Sequence, residues 1–329
     1  MKRVLPFTLI ASLVAFFVLT DSQSWAVTVA TKSKVCPTGS FPDLSKSVGA
    51  GEGYAKPSIS VTCSKTEIKV SSNGMISFAF EPKTPNALTT QEWKWSVPLN
   101  PTKAKSVTTI KNVLGTLGFT VSGLPIYGPT EGPMPPAQSY GDPIYNKIMD
   151  TCGGHTGPAR EYHHHAITLV QQCNLKKQKI LGYALDGFPI YTTLGCLDKK
   201  CVKTSMMKSG YVKTGDPTTN SWGAYTFKNS KSTSVLDVCN GRTQPDGTYG
   251  YHATTDFPYI IGCFTGTATL PKGRAAEPMP PMGGPTMGGP PPGADGKLPP
   301  PGGPMGGPMG GPPPGADGKM PPPGGPTKP

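Results

Sequence analysis

Two stretches of the chain carry the same residues at the same internal spacing, so its fold has to accommodate two copies of one local structure. Asp150-Thr151-Cys152-Gly153-Gly154 is followed, ten residues after its cysteine, by Tyr162-His163-His164-His165-Ala166. Asp237-Val238-Cys239-Asn240-Gly241 is followed at the same distance by Tyr249-Gly250-Tyr251-His252-Ala253, an offset of 87 residues throughout. A second matching pair precedes them: Leu117-Gly118 leading to Gly123-Leu124-Pro125-Ile126-Tyr127, and Leu181-Gly182 leading to Gly187-Phe188-Pro189-Ile190-Tyr191. All five histidines (His155, His163, His164, His165 and His252) lie inside the Asp-Cys-Gly to Tyr-His-Ala units. Chemistry carried by imidazole is therefore concentrated there.

The local patterns read as strands. Val61 to Val70 and Met75 to Phe80 alternate apolar and polar residues around Ser71-Ser72-Asn73-Gly74, which predicts a hairpin turning at those four residues, and Glu92 to Val97 continues the alternation. In each Gly-x-Pro-Ile-Tyr segment a short strand meets a turn, Ser122-Gly123 or Asp186-Gly187, and a second strand resumes at the isoleucine. No sustained helical period runs through the chain.

Eight cysteines are present: Cys36, Cys63, Cys152, Cys173, Cys196, Cys201, Cys239 and Cys263. An even number in an exported chain favours disulfides, and pairing each cysteine with its nearest neighbour in sequence is the simplest arrangement. Cys152–Cys173 and Cys239–Cys263 would then each clamp one histidine segment. The absence of Cys-x-x-Cys weakens zinc-knuckle and thioredoxin-like readings.

Export is read from residues 1–26. Lys2-Arg3 precedes an apolar run from Leu5 to Leu19, and Ser24-Trp25-Ala26 supplies a small-x-small cleavage site. The run is about 15 residues, short of the roughly 20 that span a bilayer, so the processed chain is expected to be secreted, periplasmic or held at the cell surface rather than transmembrane. The formal charge of +12 suits an anionic cell-envelope component. The local clusters, Lys176-Lys177-Gln178-Lys179 and Lys199-Lys200, lack interleaved aromatic residues, so no specific nucleic-acid partner is expected. Beyond Ala275 the composition changes: residues 277–329 include 20 prolines and 16 glycines and no aromatic residue. Such a segment buries too little apolar surface to offset its ordering entropy and reads as a disordered tail.

Together these features predict a mostly-β, disulfide-stapled domain of β-sandwich or barrel-like form with an internally duplicated core, followed by a disordered Pro/Gly-rich tail. The divisions are 1–26 (signal), 27–89 (β-hairpin region), 90–272 (main domain) and 273–329 (tail).

An extended Tyr162-His163-His164-His165 projects His163 and His165 from one face, and Tyr162 and His164 from the other. His163 and His165 are thus candidate metal ligands, with His252, the counterpart of His165, as a third and His155 as a fourth. Imidazole suits copper or zinc. Asp150, Asp186 and Asp237 are candidate acceptors for the ring N–H groups that face away from the metal. No nucleophile–base pair is identifiable, so catalytic residues are not assigned; Asp186 or Asp237 with a histidine would be the hydrolase alternative. A non-catalytic cell-envelope interaction module is the other.

These residues resemble the YHYH domain, a family of mostly secreted bacterial proteins named for a Tyr-His-Tyr-His signature. The resemblance runs from about Thr90 to Thr265 through Gly-Leu-Pro-Ile-Tyr (123–127), Cys-Gly-Gly-His (152–155), Leu-Asp-Gly-Phe-Pro-Ile-Tyr (185–191) and Tyr249-Gly250-Tyr251-His252. Neither copy here is a perfect signature: His164 stands for the third residue in one, and Gly250 for the second in the other. The resemblance implies export and the fold of that domain, and it brings no established activity, substrate or cofactor.

Overall fold

The alternation read between Val61 and Phe80 folds differently at its second half. In the computed structural model, which describes residues 35–132, 140–167, 173 and 179–268, β1 (Ile59–Cys63) pairs antiparallel with β2 (Glu67–Ser72). Their turn lies at Ser64-Lys65-Thr66, where the Ser64 hydroxyl accepts the N–H groups of Thr66 and Glu67. The predicted turn at Ser71–Gly74 is not a hairpin. Asn73 instead ties the chain back to the residues before β1, accepting the Ser58 N–H and donating to the Lys56 carbonyl. Met75, Ile76 and Phe78 leave the sheet and fill a second apolar cluster with Leu124, Tyr162 and the half-cystines Cys152 and Cys173. The open edge of β2 goes to β3 (Trp93–Pro98), whose Trp95 and Val97 are buried while Lys94 and Ser96 face out.

After β4 (Lys103–Thr109) come β5 (Gly118–Thr120), β6 (Pro125–Ile126), β7 (Gly154–Thr156), β8 (Tyr162–His164), β9 (Ile180–Ala184) and β10 (Pro189–Tyr191). Two small hairpins follow, β11 (Leu194–Cys196) with β12 (Thr204–Met206) and β13 (Tyr211–Lys213) with β14 (Tyr225–Phe227). The chain ends its described course with β15 (Gly241–Thr243), β16 (Tyr249–His252) and β17 (Cys263–Gly266), the last paired with β4. The export signal read at 1–26, the Pro/Gly tail from 273 and the basic residues 176–178 lie outside the described residues. Among the described residues no helix is long and apolar enough to cross a membrane.

The central sheet runs β15-β16-β10-β9-β5-β6-β8-β7, and its two halves repeat each other's pairing. Each begins with a hairpin, β5–β6 or β9–β10, turned at a glycine with positive φ (Gly123 at 82°, Gly187 at 86°). The second hairpin strand takes a parallel neighbour, β8 or β16, which pairs antiparallel with β7 or β15. β5 and β9 meet antiparallel in the middle. The sheet is open, with β7 and β15 at opposite ends, so the barrel-like alternative is not realised. Closure would need β7 and β15 to pair with each other, and among the described residues they do not.

The β5–β9 seam requires glycine. A Cβ on Gly118 would meet the Tyr183 carbonyl, and one on Gly182 would meet that of Phe119. Around it Phe119 stacks on Trp95 at 4.9 Å, joining the three-stranded sheet to the central one in a single apolar core with Leu181, Tyr183 and Ile190. Overpacking of this kind costs about 1–3 kcal/mol. Gly182→Ala is therefore expected to lower the midpoint of thermal unfolding by several degrees; an unchanged midpoint would show that the seam tolerates a methyl group.

All eight cysteines are paired as nearest neighbours: Cys36–Cys63, Cys152–Cys173, Cys196–Cys201 and Cys239–Cys263. The bridges at 152–173 and 239–263 anchor the two loops that lead into the histidine-bearing strands.

Candidate metal centre

The Asp-x-Cys-x-Gly loops set the registers on which the site depends. Asp150 Oδ1 accepts the N–H groups of Cys152 (2.8 Å) and Gly154 (3.1 Å), and its Oδ2 accepts the Tyr162 hydroxyl at 2.8 Å. Asp237 repeats this with Cys239, Gly241 and Tyr249, at 2.9, 3.0 and 2.9 Å. Asp186 accepts the Tyr251 hydroxyl at 2.6 Å and the Gly266 N–H at 2.9 Å. Burial raises all three carboxyls despite these donors. The aspartates thus hold strands and turns together. Among the described residues their partners are tyrosine hydroxyls and backbone amides rather than imidazoles.

With the loop fixed, β7 lies against β8 with His155 directly opposite His163. The pleat sends Tyr162 and His164 to one side, where their rings meet edge to face at 5.2 Å. His163 faces the other side, and His165, just past the strand end, returns to it: the two Nε2 atoms are 3.1 Å apart. Rings of His155, His163 and His165 contact one another pairwise at 4.7, 4.9 and 5.2 Å between centroids. Among the described residues these three form a group whose ligand atoms all lie within 4.8 Å of one another, and all three are buried.

A carboxylate that the sequence reading did not single out lies against two of the three rings. Glu131 follows β6 on a segment with no counterpart in the repeat. Its Oε2 lies 3.1 Å from His155 Nε2 and 3.5 Å from His165 Nε2. Burial alone would raise this carboxyl, but its contacts with the two imidazoles outweigh burial and bring it below its ordinary value. Burial pushes His165 down to about 4, so its ring is neutral at neutral pH.

The backbone dictates which nitrogens face the centre. His165 Nδ1 is 2.6 Å from the Gly128 carbonyl, and His155 Nδ1 is 3.1 Å from that of Ile148. A carbonyl only accepts, so each Nδ1 carries the proton, and in the neutral ring Nε2 presents a lone pair. His165 Nε2 therefore accepts from His163 Nε2–H across 3.1 Å, and His155 Nε2 faces the Glu131 carboxylate at 3.1 Å, so ring nitrogens and a carboxylate oxygen meet in a buried place where a proton or a metal ion can stand between them. Tyr127 lies face to face on His163, centroids 4.0 Å apart, and its hydroxyl donates to Glu161 at 3.1 Å.

His252, the expected third ligand, is elsewhere. β16 stands five places from β8 in the sheet order, or about 24 Å at the usual strand spacing of about 4.8 Å. Its Nδ1 contacts the Thr192 carbonyl (2.7 Å), as His165 contacts Gly128, and its Nε2 contacts the Gln244 side chain at 3.0 Å. The symmetry axis passes between β5 and β9 and so separates the two histidine strands. At the positions matching the opposed His155 and His163, the second half has the opposed pair Arg242 and Gly250. The Arg242 guanidinium donates to the Cys196 and Thr233 carbonyls, and the Tyr191 ring fills the space beside Gly250. Among the described residues only the first half assembles a cluster.

A family model described as YHYH protein matches residues 94–266. No curated protein and no solved structure matches the chain.

Proposed function

The chain belongs to the YHYH protein family, and from that premise we propose that it binds one transition-metal ion, zinc or copper, through His155, His163 and His165. The observation that carries this reading is the buried group of His155, His163 and His165, whose ligand atoms all lie within 4.8 Å of one another. Ligands about 2.0–2.1 Å from a tetrahedral ion stand about 3.3 Å apart; the His163 and His165 Nε2 atoms, 3.1 Å apart, already lie near that value, and the full group, within 4.8 Å, needs a further small closure around an ion. Disulfide pairing of all eight cysteines supports work in an oxidising compartment, secreted, periplasmic or at the cell surface.

The hydrolase alternative is less well supported, since the oxygens of Asp186 and Asp237 are engaged by tyrosines and backbone amides. An envelope-docking role would draw on the tail, which lies outside the described residues. Protein purified without an affinity tag is expected to carry, or to take up, one zinc or copper ion per chain. At free metal about 100-fold above Kd, binding to the folded state alone adds about 2.7 kcal/mol, so thermal unfolding should shift upward and return on adding chelator. An absent shift together with no micromolar affinity for either ion would overturn the reading.

A further inference from the structure

We propose that Glu131 is the fourth ligand, which makes the centre a closed three-nitrogen, one-oxygen site for a divalent ion, zinc(II) or copper(II), with no coordination position left for water. The inference rests on the three-histidine reading above. The backbone of Glu131 is held on both sides, its N–H donating to the Gly141 carbonyl at 2.9 Å and its carbonyl accepting the Tyr140 N–H at 3.0 Å. Oε1 accepts the Gly132 N–H at 2.8 Å, which leaves Oε2 directed at the two imidazoles. The Glu131 side chain is 12% exposed and those of His155 and His165 3% and 1%, so the carboxylate meets the two rings away from solvent.

Charge supports the same assignment. A divalent ion among three neutral imidazoles keeps its full charge in a buried place, and a buried carboxylate is itself costly without a cation. One metal–carboxylate bond relieves both. The hard oxygen and the lack of sulfur ligands, since no cysteine is free, favour a divalent ion over copper(I). Catalytic zinc sites keep three protein ligands and a water in the fourth position; here the carboxylate takes that position, so the ion is held rather than used to activate water.

Cobalt(II) titrated into the untagged full chain reports the fourth ligand through its visible bands. With Glu131 bound, the spectrum is tetrahedral and stays unchanged from about pH 6 to about pH 9, because no bound water is present to ionise near pH 7. Glu131→Ala opens the position to water, so its spectrum is expected to change with pH and its cobalt affinity to fall at least about 10- to 100-fold. Glu131→Gln keeps the shape of the side chain and is expected to lose affinity while the metal-free unfolding midpoint holds. A wild-type spectrum that itself titrates near pH 7, or a Gln variant with unchanged affinity, overturns the role of Glu131 and leaves the histidine triad standing. Failure of the wild type to bind cobalt or zinc removes both.

Discussion

A chain carrying both His163→Ala and His165→Ala is expected to lose metal binding by more than about 10⁴-fold, since even residues that only support metal ligands cost 10- to 100-fold each when removed. The two rings supply two of the three nitrogens, and their Nε2 atoms are 3.1 Å apart on the same side of one strand. With both gone, His155 and Glu131 remain as a pair too sparse to hold an ion. His252→Ala serves as the internal control, because that ring is bonded to Thr192 and Gln244 at the far end of the sheet. Competition against a chromophoric chelator measures both variants. Equal loss in the two, or loss in the His252 variant alone, would refute the placement of the site in the first half.

Acid is expected to destabilise the metal-free protein steeply between about pH 6.5 and about pH 4, the window set by the ordinary histidine pKa and its buried value. Burial lowers His164, His165 and His252 each to about 4. The folded state therefore prefers neutral rings, while the unfolded chain takes up protons as soon as the pH drops below the ordinary value. Stability falls with pH throughout that window and is indifferent to these groups above it. Each ring contributes on the order of 3 kcal/mol by pH 4, a large share of the roughly 5–15 kcal/mol that holds a typical domain. Burial raises Asp142, Asp150, Asp186 and Asp237, so the folded state takes up protons on these groups first and offsets part of the loss toward the acid end. Denaturant midpoints at pH 7.5 and 4.5 test the balance. Equal midpoints would mean that burial does not cost these rings their charge by more than the carboxyls return.

Much of the local structure was legible in the residues. The two Gly-x-Pro-Ile-Tyr hairpins and the shared face of His163 and His165 follow from spacing, and the nearest-neighbour disulfides are the simplest of the many pairings eight cysteines allow. The hairpin at Ser71–Gly74 did not, because alternation in Met75 to Phe80 records burial, and those side chains are buried in a cluster away from the sheet. Glu131 escaped notice for a different reason: it sits outside both repeats, in a segment whose composition marks nothing, and acquires meaning only from what lies opposite.

The sequence by itself pointed to two like halves and to the shared face of His163 and His165, because strand pleat is a property of a few neighbouring residues. Only the tertiary structure decided that the halves join through the glycine-lined β5–β9 seam. That choice depends on which pairing lets backbones approach and buries Trp95, Phe119 and Tyr183 together. It carries His252 away from the other rings and brings Glu131 to them, so the cluster belongs to one half and draws on a loop outside the repeat.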